Sequence, residues 1–275
     1  MLDISNETRN GKQIMKPHTI TTRIYTLLLS GLILLTGCQP NSTATEPAPT
    51  QVATSEPSIV QEENTLTISK SIFLDPALAE DEDSLRISQY LYEGLVRLDS
   101  NGEVQPALAE SWIISDDQLD YIFTLRPGIT FSDGTPITPD VIESNFNRWF
   151  DPENPLRGDG NFPAWKRIFL GFHNEKDADQ RAISTVDGIQ KVDVNTILVH
   201  LNRPVPDLLT YLADPAFVIL STEALSAGGY GKSENAIISS GPYLLSAWTD
   251  EGLTLSPNPK YWGDAPVDDL NFTWK

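Results

Sequence analysis

LDYIFTLRPGITFSDGTPITPDVIESNF, residues 119–146, reads as strand, turn and helix in close succession. Leu119 to Arg126 mixes β-branched and aromatic residues with polar ones, the composition of a half-buried strand. Asp133-Gly134-Thr135-Pro136 makes a tight turn, with Gly supplying backbone angles that other residues resist. Thr138, Pro139 and Asp140 then serve as N-cap, N1 and N2 of a helix, because proline lacks a donor that the first turn cannot use. Ile142, Phe146, Trp149 and Phe150 recur on one side as its apolar face.

Upstream, Thr65 to Ser69 alternates like a strand until Asp75-Pro76 breaks the pattern. Glu80, Asp81, Glu82 and Asp83 lead into a helix carrying Leu85, Ile87, Tyr90, Leu91, Leu95 and Leu98, with the acids at its positive end. Downstream, residues 151–185 look loop-dominated. Strands are expected near Gly188–Val192 and Thr196–Leu201, with Asn195 at their turn, and near Ala216–Leu220. A short helix is expected near Pro206–Ala213, and strands at Tyr243–Trp248, Leu253–Ser256 and Leu270–Trp274. Elements interleave without a repeat, which predicts a mixed α/β, or α+β, fold.

The chain has 275 residues, 19 Lys+Arg and 38 Asp+Glu, for a formal charge of −19. That acidity excludes a nucleic-acid binder, which must neutralise a phosphate backbone. With 40% hydrophobic residues, wholesale disorder is excluded too. Three histidines and one cysteine leave little material for a metal site and none for an intrachain disulfide, so no metal or cofactor is expected.

The first 64 residues read as an address rather than a fold. Lys16 and Arg23 precede an apolar run from Ile24 to Thr36, shorter than the ~20 residues of a membrane span but suited to a signal peptide. It ends in Leu35-Thr36-Gly37-Cys38, which resembles the bacterial lipobox, so residues 1–37 are expected to be a lipoprotein signal peptide and Cys38 the lipidated N-terminus. Met15 is an alternative translation start to Met1. Residues 38–64, rich in Ser, Thr, Pro, Glu and Gln, cannot bury enough surface to offset their ordering entropy and read as a tether.

Catalytic patterns fail residue by residue. Gly229-Tyr230-Gly231-Lys232-Ser233 ends like a phosphate-binding loop, but Ser226 stands where the motif needs its first Gly. There is no G-x-S-x-G elbow, H-E-x-x-H pair or G-x-G-x-x-G. His173 lies in a polar loop and His200 alternates within a strand. No catalytic residue is therefore assigned, although a secreted hydrolase using carboxylates such as Glu80 and Glu82 stands as a remote alternative.

Four ordered blocks carry a family resemblance. LDPALAEDEDSLRISQYLYEGLVRLDSNGEVQPALAESW (74–112) looks like the opening of the family 5 bacterial extracellular solute-binding proteins, the peptide- and nickel-binding components of ABC importers. Residues 119–146 are similar to that family's F-x-L-R-x-G-x-x-F-x-D-G-x-P stretch, and residues 192–213 and 239–272 match later blocks in order. The resemblance implies a two-lobed architecture of the class II periplasmic-binding-protein type. Residues 65–96 plus 209–275 would form the first lobe, 97–208 an inserted subdomain, and the second lobe would lie beyond the chain. It further implies a non-enzymatic, monomeric binder of a peptide or related small solute, working with ABC permease subunits and held to the membrane by its lipid. Glu80, Asp81 and Glu82 match the loop that lines the ligand backbone in the relatives, while Tyr243 and Phe272 match cleft aromatics. As a rival, a split or truncated gene would yield a fragment without a function of its own. Its last strand, ending at Lys275, would then be unpaired at a sheet edge.

Overall fold

The computed structural model describes residues 65–275. The segments expected to be signal peptide (1–37) and tether (38–64), with the expected lipidation site Cys38, lie outside the described residues. Strands β1 (Thr65–Ile68), β2 (Val96–Leu98), β3 (Val104–Pro106), β4 (Ala109–Ile114) and β5 (Asp120–Leu125) occupy the first part, with helix α1 (Glu82–Leu91) after β1. Helices α2 (Pro139–Phe150) and α3 (Pro163–Phe169) follow, then β6 (Val186–Lys191), β7 (Thr196–Leu201), α4 (Leu208–Leu212) and α5 (Thr222–Ser226). Strands β8 (Tyr243–Trp248), β9 (Gly252–Pro257) and β10 (Leu270–Trp274) close the chain.

The strands form two four-stranded sheets, ordered β1-β10-β9-β8 and β4-β5-β7-β6, and a small β2-β3 ribbon. Each large sheet has its own core. Ile68, Leu74, Ile87, Leu91, Leu253, Leu255 and Phe272 gather on the first. Phe123, Phe146, Trp149, Trp165, Ile197 and Leu201 gather on the second. The apolar face expected for α2 is fully used: Ile142, Phe146, Trp149 and Phe150 are all buried. Burial of each such side chain contributes about 1.5–3 kcal/mol, so most of this helix's stability comes from packing rather than propensity. Thr138 sits at the N-cap with extended backbone and Pro139 at N1, although the Thr138 hydroxyl makes no cap hydrogen bond.

The last strand is not an edge. β10 lies between β1, which it pairs in parallel (Leu66 opposite Phe272), and β9, which it pairs antiparallel (Phe272 opposite Leu253). The expectation of an unpaired terminal strand is thereby overturned: Thr65–Ile68 covers the side that local sequence seemed to leave open.

Helix α1 also ends earlier than its spacing implied. Asp81 caps it, accepting from the Ser84 N–H at 2.8 Å, and the helix stops at Leu91 with Tyr92 extended. The reason is tertiary. The Glu93 N–H donates to Ser240 Oγ at 3.0 Å, and the Leu91 carbonyl accepts from the Ser240 and Gly241 N–H groups at 3.1 and 2.9 Å. Leu95 is consequently buried in an extended segment, and Leu98 on β2 is 41% exposed.

The strand expected at Ala216–Leu220 is instead a 3-10 turn, Pro215–Phe217, followed by an extended segment outside any sheet. Its alternation is real: Phe217 and Ile219 face the second core, while Val218 and Leu220 face the first. Both faces being buried, its backbone bonds go to other partners. The Ile219 N–H donates to the Glu93 carbonyl at 2.8 Å, and Leu220 pairs with the Asn145 side chain through both its N–H and its carbonyl. Within 151–185, α3 was not expected. It is bracketed by left-handed Phe162 (φ 47°) and Leu170 (φ 68°) and buries Trp165, whose indole donates to the Gly171 carbonyl at 3.0 Å.

Candidate functional site

Glu80 lines a recess of about 280 Å³ with Leu85, Pro163, Arg167, Asp214 and Ala216. The recess thus joins the loop ahead of α1 to α3 and to the 3-10 turn. Arg167 Nη2 and Asp214 Oδ2 face each other there at 3.5 Å. Asp214 is fixed by its own backbone role, accepting from the Ala216 N–H at 2.9 Å as the turn's N-cap. Asp81 spends one carboxylate oxygen capping α1, and Glu82 is exposed in the first turn.

Tyr243 and Phe272 lie toward the other end of α1, which at about 1.5 Å per residue is roughly 15 Å long. The half-buried Tyr243 ring meets Tyr90 edge-on, with centroids 5.8 Å apart, and Tyr90 in turn lies 6.1 Å from Phe272. Burial raises the Tyr243 hydroxyl above its ordinary pKa, helped by Tyr90, Asp268 and Asp269. Phe272 is 1% exposed, enclosed in the core of the first sheet. The five ligand-site residues expected from the resemblance therefore fall into two groups, Glu80–Glu82 at the start of α1 and Tyr243 with Phe272 beside its end.

A further cluster was not foreseen. Glu93, just past α1, accepts from the Tyr261 hydroxyl at 2.5 Å and from the Trp262 indole N–H at 2.6 Å. The Arg126 guanidinium stacks on Trp262, 3.9 Å from the ring centroid, and is held by its Nε–H donating to the Ala107 carbonyl at 2.7 Å. Burial is the largest influence on Glu93 and raises its pKa, against the lowering pull of Tyr261, Trp262, Arg97 and Arg126. Glu93, Arg97, Tyr211 and Asp214 all line a larger cleft of about 580 Å³. Tyr261 and Trp262 fall within the 239–272 block that carries the family resemblance. Nothing local identified Glu93 as what pins them.

Other chemistry-bearing residues have structural employment. Arg148 and Asp75 form a buried bidentate ion pair, and Arg148 also donates from Nε to the Leu156 carbonyl at 2.9 Å. Beside it the Tyr230 hydroxyl donates to that of Tyr92 at 2.9 Å, and Tyr92 donates onward to the Leu74 carbonyl. Gly231, from the phosphate-loop lookalike, accepts from the Leu74 N–H at 2.8 Å, so that loop packs against the chain rather than cradling a ligand. His200 pairs across the sheet with Asp120 at 2.6 Å. Among the described residues, no His, Cys, Asp and Glu cluster is arranged to hold a metal ion.

The profile described as bacterial extracellular solute-binding proteins, family 5 Middle, matches residues 103–273. The chain belongs to this family. Among family 5 relatives, it is 32% identical over 247 residues to the "Probable deoxycholate-binding periplasmic protein YgiS" of Escherichia coli K12, covering 86% of this chain and 43% of that one. It is 29% identical over 196 residues to the periplasmic murein peptide-binding protein MppA of the same organism, covering 70% and 35%. Its fold superposes on DppA from Helicobacter pylori, an ABC transporter-associated periplasmic binding protein in complex with the peptide STSA. That match has a TM-score of 0.65 at 25% identity, over 77% of this chain and 42% of that one. The chain thus spans less than half the length of the relatives it matches. No helix among the described residues is long and apolar enough to cross a membrane.

Proposed function

We propose that the chain is the first lobe of an extracytoplasmic substrate-binding lipoprotein of an ABC importer, capturing peptides or a related small solute for transport. The carrying observation is the Glu80 recess, where an arginine and two carboxylates from three separate segments converge on about 280 Å³. Opposed charges side by side suit the polar groups of a peptide main chain, an amine or N–H meeting the carboxylates and a carbonyl or carboxylate oxygen meeting the arginine. Glu80, Asp81 and Glu82 would run along the ligand backbone and Tyr243 would border the cleft, while Phe272 would support it from the core. We divide the folded part into residues 65–96 plus 209–275, which contribute the β1-β10-β9-β8 sheet, and the insert 97–208, which contributes the other sheet. A second lobe would close the cleft. The Cys38 lipid would hold the protein at the membrane, facing the periplasm or exterior, where permease subunits receive the solute.

Thermal unfolding of the full chain against a tetrapeptide library tests the reading. Stabilisation by peptides, and its loss in Glu80→Gln and Asp214→Asn, is the expected result. No shift with any peptide overturns the peptide form of the reading. Lipidation is tested separately by mass spectrometry, where an unmodified peptide spanning Cys38 excludes the anchor.

A further inference from the structure

Next to the Glu80 recess, across Pro163 and Arg167, lies a second recess of about 580 Å³ lined by Arg157, Asn161, Lys166, Arg167 and Phe172. Three cations in one hollow are notable in a chain of charge −19. Among the described residues, no carboxylate lies within ion-pair distance of Arg157 or Lys166, and Arg167 has only the 3.5 Å contact to Asp214. Arg157 is the unusual one. It is only 7% exposed, its guanidinium lies 4.3 Å from the Phe162 ring centroid and 4.2 Å from that of Phe172, and burial and the like charge of Arg148 act on it more strongly than the carboxylates of Asp151 and Glu175.

Part of Arg157 is structural. Its Nη1 donates to the Arg148 and Trp149 carbonyls at 3.1 and 2.7 Å, capping the last turn of α2. That fixes the guanidinium plane and leaves Nε and Nη2 without a hydrogen-bond partner among the described residues, though neither is sealed from solvent. A guanidinium fixed by Nη1 beside two aromatic rings, with two unpartnered donors and a place in the lining of a hollow that holds two more cations, suits the way arginine grips planar or tetrahedral oxyanions.

We propose that this recess is an anion subsite, taking a carboxylate or phosphate group of a solute through Arg157, Lys166 and Arg167. Because Arg167 and Pro163 border both recesses, a solute lying along Glu80 reaches the subsite with one acidic group, which makes anionic solutes the favoured class. This last step rests on the solute-binding reading given above.

The test is a chemical-shift titration of the full chain with succinate, its uncharged analogue succinamide, inorganic phosphate and a neutral tetrapeptide, all at constant ionic strength. Saturable shifts at the Arg157 Nε–H and at the Lys166 and Arg167 amides are expected with succinate or phosphate, and none with succinamide. The variant Lys166→Gln/Arg167→Gln changes two exposed side chains and should weaken anion binding at least about tenfold, since each charge-assisted hydrogen bond contributes roughly that much. Response to succinate alone assigns a carboxylated solute, and response to phosphate alone a phosphorylated one. Equal response to succinate and succinamide, absence of saturable shifts, or an unaffected double variant overturns the subsite. If the tetrapeptide binds and the anions do not, the subsite falls and the transport reading stands. If the anions bind and no peptide does, the subsite stands and the peptide form of the transport reading falls.

Discussion

The Glu93 carboxylate accepts the Trp262 indole N–H at 2.6 Å, across 169 residues of chain. With Tyr261 on its other oxygen and Arg126 stacked on the indole, Glu93 staples the loop after β9 to the segment leaving α1. The same segment carries the Leu91 and Glu93 backbone bonds to Ser240 and Ile219, so this short run ties distant parts of the chain together. The Glu93 side chain thus braces the wall of the larger cleft.

Replacing Glu93 by Ala leaves the indole N–H and the phenol without an acceptor and should cost roughly 3 kcal/mol, since each deprived buried group costs about 1–3 kcal/mol. Glu93→Gln keeps the shape and removes the charge, which gives a pH signature. Burial raises the Glu93 pKa above its ordinary 4.5, so the folded state holds this proton more tightly than the unfolded chain. The stability it contributes is fully present below pH 4.5 and is lost as pH rises through the raised value. Denaturant unfolding from pH 4 to 8 should therefore show Glu93→Gln gaining on the parent as pH rises. A difference that is flat with pH would exclude this account.

The Asp75–Arg148 pair sits where the loop after β1 meets α2, with both side chains almost wholly buried. Desolvation outweighs the attraction of Arg148 and raises the Asp75 pKa, so the pair is held by geometry against a burial penalty. Breaking it leaves one uncompensated charge inside. Asp75→Asn and Arg148→Met should each destabilise by about 3–5 kcal/mol, whereas the double variant should cost clearly less than their sum. Additive losses in a double-mutant cycle, read by denaturant midpoints, would show that the two side chains act independently.

Much of the fold was legible because its determinants are local. Thr138-Pro139 announced α2, and the spacing of Ile142, Phe146 and Trp149 gave its buried face within twelve residues. Misreadings fell where distant residues decide. Leu95 and Leu98 continue a helical spacing, yet Ser240 and Ile219 capture the backbone at Glu93 and stop the helix. Val218 and Leu220 alternate as a strand does, but with a core on each face and Asn145 as partner. Trp274 looked terminal because its neighbour Ile68 is at the opposite end of the folded chain. The candidate site divides the same way: Glu80 came from a recognisable block, whereas Arg157 and Glu93 became visible only once α3 and the 261–262 loop were in place.

Asn145 offers a direct check on that explanation. Its amide donates to the Leu220 carbonyl at 2.9 Å and its oxygen accepts from the Leu220 N–H at 3.0 Å, replacing a neighbouring strand for that residue. Asn145→Ala leaves both backbone groups unpaired between two cores and should cost about 3 kcal/mol. Asn145→Asp keeps the acceptor, loses the donor and buries a charge, and should cost at least as much at neutral pH. Hydrogen exchange at the Leu220 amide should accelerate in both variants relative to amides of β5. Unchanged exchange would mean that the side chain does not hold the segment.

Gly231, in the phosphate-loop lookalike, packs directly against the chain at Leu74 and Asp75. Its φ is +90°, and a Cβ there would sit 2.6 Å from the Asp75 nitrogen and 3.0 Å from the Leu74 carbonyl carbon, both backbone atoms that cannot swing aside. Gly228, three residues earlier, has φ +77° with nothing within 4 Å of an added Cβ. Alanine at Gly228 should therefore cost only the left-handed strain, about 1–2 kcal/mol. Alanine at Gly231 adds displacement of Asp75, and with it the Arg148 ion pair, so its loss should exceed that of Gly228→Ala by about 2 kcal/mol or more. The contrast separates close approach from conformational freedom, because both glycines share the second property and only Gly231 has the first. Equal costs in denaturant unfolding would mean that the loop does not bear on Asp75 at all.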